Sequence, residues 1–185
     1  MGAHYADIVR VLRFWFEEAG PAKWFGGGPE FDALVRERLH ALHLEAARGD
    51  HDAWAETPEG ALALMILLDQ APRNMFRGTA GAFATDAKAR ELARAALDRG
   101  LDQGMAEDQR AFLYLPFEHS EDIEDQRLAV RLFEERTQKP VYHDYARRHL
   151  AVIERFGRFP HRNGILGRPS TPEEEAFLKE PGSSF

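Results

Sequence analysis

Cysteine is absent from this chain. Disulfides, thiolate catalysis, zinc ribbons and iron–sulfur clusters are thereby excluded. Long apolar runs are missing as well. The longest, Ala61 to Leu68, falls far short of the roughly 20 residues needed to cross a bilayer and reads as a buried helix. There is no Gly-x-Ser-x-Gly element, which removes the common serine-hydrolase signature. The Gly26-Gly27-Gly28 run is not followed by Lys-Ser/Thr, so it is not a phosphate-binding P-loop. Positive charge is also short: the formal net charge is −7, opposite to that of a generic nucleic-acid binder. The opening residues, Met1 to Asp7, have no basic region leading into an apolar stretch. No secretory leader is expected, and cytoplasmic residence is the default. No stretch alternates apolar and polar residues for long enough to suggest a strand.

What the chain does have is helical periodicity. At 185 residues it is expected to form a single helical domain, residues 1–185, with a core that removes roughly 70% of the unfolded surface from water. Ile8, Leu12, Trp15 and Ala19 form a first stripe, ended by Gly20-Pro21. Phe31, Leu34, Val35, Leu39, Leu42 and Ala46 form a second, opened by Pro29 and closed by Gly49. Thr57-Pro58 starts a third helix, from Glu59 to about Gln70, that is apolar almost all round and therefore central. Pro72 is expected to stop or kink it. A fourth runs from about Asp86 to Arg99, capped by Thr85 and closed by Gly100. A fifth begins near Glu107 and meets Pro116. Ser120 is expected to cap a sixth, with an acidic first turn. Pro140 opens a seventh, with Val141, Tyr145, His149, Val152, Ile153 and Phe156 on one face. Thr171-Pro172-Glu173-Glu174 spells the capping box of a short eighth. The expected fold is all-α: about eight helices in antiparallel helical hairpins, a tetratricopeptide-like array without that repeat's own sequence spacing.

Three polar segments interrupt these apolar helices. Asp69-Gln70-Ala71-Pro72-Arg73-Asn74 follows the most buried helix. Tyr114-Leu115-Pro116-Phe117-Glu118-His119-Ser120 sets an acid, an imidazole and a hydroxyl side by side. Phe156-Gly157-Arg158-Phe159-Pro160-His161-Arg162-Asn163 follows the seventh helix. The first and third both place proline just ahead of an Arg-Asn pair. Both also lie in acid-free stretches of an otherwise acidic chain, with Arg73 and Arg77 in residues 71–81 and Arg155, Arg158, Arg162 and Arg168 with His161 in residues 155–168. Arginine beside asparagine suits a planar anionic acceptor. The plainer reading is that these arginines pair with carboxylates of the protein itself. Asp69, at a helix C-terminus, needs a partner, and Arg73 is within reach. Neighbouring residues do not face one another on a helix, so Glu118, His119 and Ser120 are not a ready-made triad. One of Glu118 and His119 is expected to point inward. His119 is a candidate general acid or base, set against the alternative of a satisfied core histidine. Phe156 and Phe159 anchor the third segment, and Gly157 allows the sharp reversal before it. His40 and His43 lie three apart on a helix but lack a third ligand nearby, so no metal site is expected. Trp15, Trp24 and Trp54 read as packing residues rather than a base-stacking platform.

The phrases Leu67-Leu68-Asp69-Gln70-Ala71-Pro72-Arg73-Asn74-Met75-Phe76-Arg77-Gly78, Ala82-Phe83-Ala84-Thr85-Asp86, Tyr114-Leu115-Pro116-Phe117-Glu118-His119-Ser120-Glu121 and Arg155-Phe156-Gly157-Arg158-Phe159-Pro160-His161-Arg162-Asn163 resemble the bacterial family called domain of unknown function 924. The likeness runs from the Phe14-Trp15-Phe16 helix to Thr171-Pro172-Glu173-Glu174. Ala71 departs from it, standing where the family more often has an aromatic anchor. The resemblance implies an all-α fold similar to the tetratricopeptide superfamily, and supplies no reaction and no cofactor. It also implies that the three polar segments belong together, which carries over Asp69, Gln70, Arg73, Asn74, Glu118, His119, Arg158, His161, Arg162 and Asn163.

Two functions are compatible with these residues. In the first, Arg73, Arg158 and Arg162 bind a small anionic ligand that Asp69, Gln70, Asn74 and Asn163 help orient, while Glu118, His119 and His161 move a proton. In the second, the chain is an interaction scaffold for a peptide or protein partner, and the polar phrases are internal locks at helix ends. Neither reading calls for nucleic acid or membrane.

Overall fold

The computed structural model describes residues 2–185; Met1, the first residue of the segment read for a leader, lies outside the described residues. Among the described residues every regular element is helical and none is a strand. None of these helices is long and apolar enough to cross a membrane. The eight expected helices are all present: α1 (Gly2–Leu12), α3 (Gly28–Arg48), α4 (Pro58–Met65), α6 (Asp86–Asp98), α7 (Glu107–Glu118), α8 (Ile123–Arg136), α9 (Pro140–Phe156) and α10 (Pro172–Phe177). Two short ones, α2 (Pro21–Trp24) and α5 (Ala71–Met75), fall where turns were expected. The residues group into two compact units. The first is the stretch up to Arg77 with Gly81–Pro116, and the second is Gly78–Ala80 with Phe117–Phe185.

In the first unit α4 is the central element, packed against α1, α6 and the 3-10 turn Asp52–Glu56. Its all-round apolar surface explains this: residues Gly60 to Met65 are buried, and so are the five that follow. Thr57 caps α4, its hydroxyl accepting from the Gly60 N–H at 3.1 Å. Gly60 itself is set by a close approach. A Cβ there would collide with the Trp54 carbonyl oxygen and lie 2.9 Å from Thr57 Oγ1. Gly60→Ala is therefore expected to cost about 1–3 kcal/mol through backbone displacement, read as a lowered urea midpoint. An unchanged midpoint would mean the Trp54 turn yields freely.

The helix does not stop at Pro72. After Met65 the backbone widens into a π-helical stretch, Ile66–Gln70, and runs straight into α5. The Ala71 N–H reaches back to Ile66 O, one residue further than in an α-helix. Pro72, which has no N–H to give, sits in the first turn of α5, where none is required. A second π stretch, Arg13–Ala19, continues α1 until Gly20, at φ +71°, ends it with an N–H to Trp15 O of 3.1 Å. Trp15, Trp24 and Trp54 are all buried packing residues.

In the second unit α8 and α9 lie side by side, joined by the Thr137–Lys139 link. Arg147 Nε on α9 donates to Glu134 on α8 at 2.7 Å. Val152, Ile153 and Phe159 form the core, with Ile123, Phe156 and Phe177 packed against it. The Thr171 capping box starts α10 as its sequence requires.

Three expectations need correction. Thr85 does not cap α6; its hydroxyl donates to Leu68 O at 2.6 Å instead. Ser120 does not cap α8. Asp122 does, accepting from the N–H groups of Glu124 and Asp125, while Ser120 Oγ donates to Asp125 at 2.8 Å. The α9 stripe is core only in its second half: Val141 and Tyr145 are exposed, whereas His149, Val152 and Ile153 are buried.

Candidate functional site

The first unit holds Asp69, Gln70, Arg73 and Asn74. Asp69 closes the π stretch with no exposed surface, and Gln70 Nε2 donates to its Oδ2 at 2.6 Å. Arg73, one turn on in α5, donates to Asp69 O at 2.7 Å. Its closer carboxylate is not Asp69, whose Oδ1 is 3.6 Å away, but Asp86 at the start of α6, gripped by both terminal nitrogens at 2.8 and 3.0 Å. Burial opposes the charge on Arg73, but Asp69 and Asp86 outweigh it and raise its pKa. Asn74 Nδ2 donates to Asp32 Oδ1 at 2.8 Å, and Arg77 grips both oxygens of the same carboxylate at 2.7 and 2.8 Å. The Arg77 hydrogen bonds hold the Asp32 carboxyl below its ordinary range.

The second unit holds the other six predicted residues, in two groups. Arg158 and Asn163 belong to a lock around the loop after α9. Arg158 binds Glu174 with two hydrogen bonds, at 2.8 and 2.9 Å, and Asn163 Nδ2 donates to the same carboxylate at 3.1 Å. The Arg158 hydrogen bonds, helped by the Thr171 N–H, pull the Glu174 pKa down to about 2. Arg168 likewise grips Glu121 at 2.7 and 2.9 Å, and Glu121 accepts from the Phe159 N–H at 2.8 Å.

The other four, Glu118, His119, His161 and Arg162, come together with a fifth residue that the sequence reading placed only on a core stripe, His149. Glu118 points inward at the end of α7 and is 4% exposed; His119 is half-buried. His149 Nδ1 lies 2.8 Å from Tyr145 O and 3.4 Å from Glu118 Oε1. A carbonyl only accepts, so Nδ1 carries the proton and Nε2 the lone pair. Burial, then the neighbouring His119, Arg162 and His161, hold the imidazole neutral, with its pKa pushed down to about 3. Arg162 Nη2 donates to His119 O at 2.9 Å, and its guanidinium lies 4.6 Å over the Phe159 ring. The rings of His119 and His149 are 6.3 Å apart, and Phe159 sits 5.6 Å from His149 and 5.8 Å from His161. One signal could have singled out His149: it is an ionisable residue on the apolar stripe Ala146, His149, Val152, Ile153. Glu121 and Glu174 had no such signal, because their arginine partners lie far along the chain.

The family model for bacterial proteins of unknown function, DUF924, matches residues 11–182. The chain belongs to the DUF924 family. A solved structure from Agrobacterium tumefaciens, the protein of unknown function ATU0120, is 48% identical with a TM-score of 0.90. The match covers 95% of this DUF924 chain and 98% of that one. No curated protein matches. The family and its solved member both carry the description of unknown function, so a functional reading has to come from the side chains.

Proposed function

We propose that the second unit of this protein carries a small-molecule site of acid–base character, taking an anionic ligand, with cytoplasmic residence as its setting. The observation that carries the reading is His149, buried beside Glu118 with its tautomer fixed by Tyr145 O. A neutral imidazole oriented through Nδ1 offers Nε2 as a proton acceptor in a low-dielectric setting. Arg162 supplies a fixed positive charge, while the half-buried His119 and His161 connect the cluster to solvent. Glu118, His119 and His161 are the groups assigned to proton movement, and Arg162 to the ligand. Arg158 and Asn163, turned toward Glu174, support the loop rather than the ligand.

Titration with a panel of small carboxylates and phosphates tests the reading. At saturating ligand, about 100 times Kd, the wild type gains about 2.7 kcal/mol of stability. His161→Ala and Arg162→Gln are each expected to weaken that binding about tenfold. Identical stabilisation of the wild type and both variants would sink the proposal.

One observation favours a second reading, a tetratricopeptide-like scaffold whose polar phrases are locks. Arg73, Arg77, Arg158 and Arg168 each grip a carboxylate of the protein through two nitrogens. On that reading, removing one of them lowers stability and leaves ligand binding unchanged.

A further inference from the structure

Phe185 is a large apolar side chain left 40% exposed, yet its ring is not idle. It lies over His149 with ring centroids 3.9 Å apart and planes 30° from parallel. Phe159 and His161 present their rings to it nearly edge-on, at 6.1 Å and 70° and at 6.0 Å and 69°. This is one stacked neighbour and two edge neighbours, the arrangement that favours a flat π-system over a saturated ring of equal size. The walls are rigid. His149 projects from α9, and Phe159 is fully buried in the core of the unit. The occupant is fastened more lightly. Its segment follows α10 without further helix and is tied back by Ser183 Oγ donating to Leu178 O at 3.1 Å. Arg162 lies on the Phe159 wall, placing a positive charge beside the slot.

We infer that His149, Phe159 and His161 form a binding slot for a flat aromatic ring bearing a carboxylate, and that the side chain of Phe185 occupies this slot until such a ligand displaces it. The inference rests on the small-molecule reading above and narrows its ligand class. An internal occupant lowers apparent affinity by the fraction of time it fills the slot. Displacing it puts the ligand ring on the His149 face and its carboxylate toward Arg162.

Benzoate, cyclohexanecarboxylate and acetate serve as probes of the full chain, with calorimetry for affinity and the imidazole nitrogen resonances of His149 for location. Phe185→Ala is expected to tighten benzoate about tenfold, to leave cyclohexanecarboxylate unchanged, and to shift the His149 resonances on benzoate addition. Phe185→Trp, which keeps a flat occupant, is expected to show no tightening. If benzoate and acetate bind alike, are weakened alike by His161→Ala and are indifferent to Phe185→Ala, the aromatic slot is wrong while the anion site stands. If no carboxylate binds the wild type or Phe185→Ala, both readings fall.

Discussion

Replacing Arg73 with methionine is expected to lower the melting temperature by on the order of 10 °C, the largest loss of any single substitution considered. The reason lies in what is left behind. Asp69 has no exposed surface, and Asp86 is 6% exposed. With the guanidinium gone, Asp86 loses both of its charge-assisted hydrogen bonds, and Asp69 loses the cation nearest its carboxylate. Removing one partner of a buried ion pair costs about 3–5 kcal/mol, because the remaining charge stays desolvated. Methionine keeps the length of the side chain, so the packing loss is small. Arg73→Lys is expected to recover only part of the loss, since a single ammonium cannot match the two oxygens of Asp86 together with Asp69 O. Asp86→Asn on the Arg73→Met background should restore some stability by removing the stranded charge. Thermal melts of the four proteins check this, and a loss under about 1 kcal/mol in Arg73→Met would mean that water reaches the pair.

The second large effect is on acid sensitivity. His149 ionises near pH 6.5 in an unfolded chain and only near pH 3 in the folded one. Its contribution to stability is therefore complete above pH 6.5. It is lost as the pH falls from there toward 3, because only the unfolded state takes up the proton. The slope is about 1.4 kcal/mol per pH unit, or about 2 kcal/mol by pH 5. His149→Gln cannot take up that proton, and its stability should be flatter over the same range. His43, lowered chiefly by burial, tilts the curve in the same direction, so the assignment is read from the difference between wild type and variant. Glu174 acts in another window. Its folded pKa is about 2 against an ordinary 4.5, so its share is present above 4.5 and lost as the pH falls toward 2. Denaturant melts at several pH values separate the two. Parallel slopes for wild type and His149→Gln between pH 6.5 and 5 would contradict a buried neutral imidazole.

The helices were legible because their signals are local. Gly49 and Gly157 close α3 and α9 in left-handed geometry, at φ +96° and +70°, and the Thr57 and Thr171 caps are written in adjacent residues. The misplaced caps failed for a different reason. Thr85 had a choice between its own helix and the distant Leu68 carbonyl, and a long-range acceptor has no sequence signature. The continuation through Pro72 was hidden because proline reads as a stop unless the ladder before it has already widened. Within the site, Glu118, His119, His161 and Arg162 could be found as polar residues in anchored segments. Arg158 and Asn163 looked equivalent to Arg162, and only the position of Glu174, on a short helix beyond the loop, separates them. His149 was visible on its stripe, but its role depends on Glu118, which the sequence places far away.

The widened turn at Ile66–Gln70 sets an angular phase for everything after it. Each residue of an α-helix advances the chain by about 100° around the axis. Deleting a single residue from this stretch would restore the ordinary pitch but swing Arg73 about 100° away from Asp86. It would also drive the Pro72 ring against a carbonyl one turn back. The surplus residue therefore works as a phase shifter that aims the Arg73 side chain at the start of α6, and chain length here is constrained as tightly as residue identity.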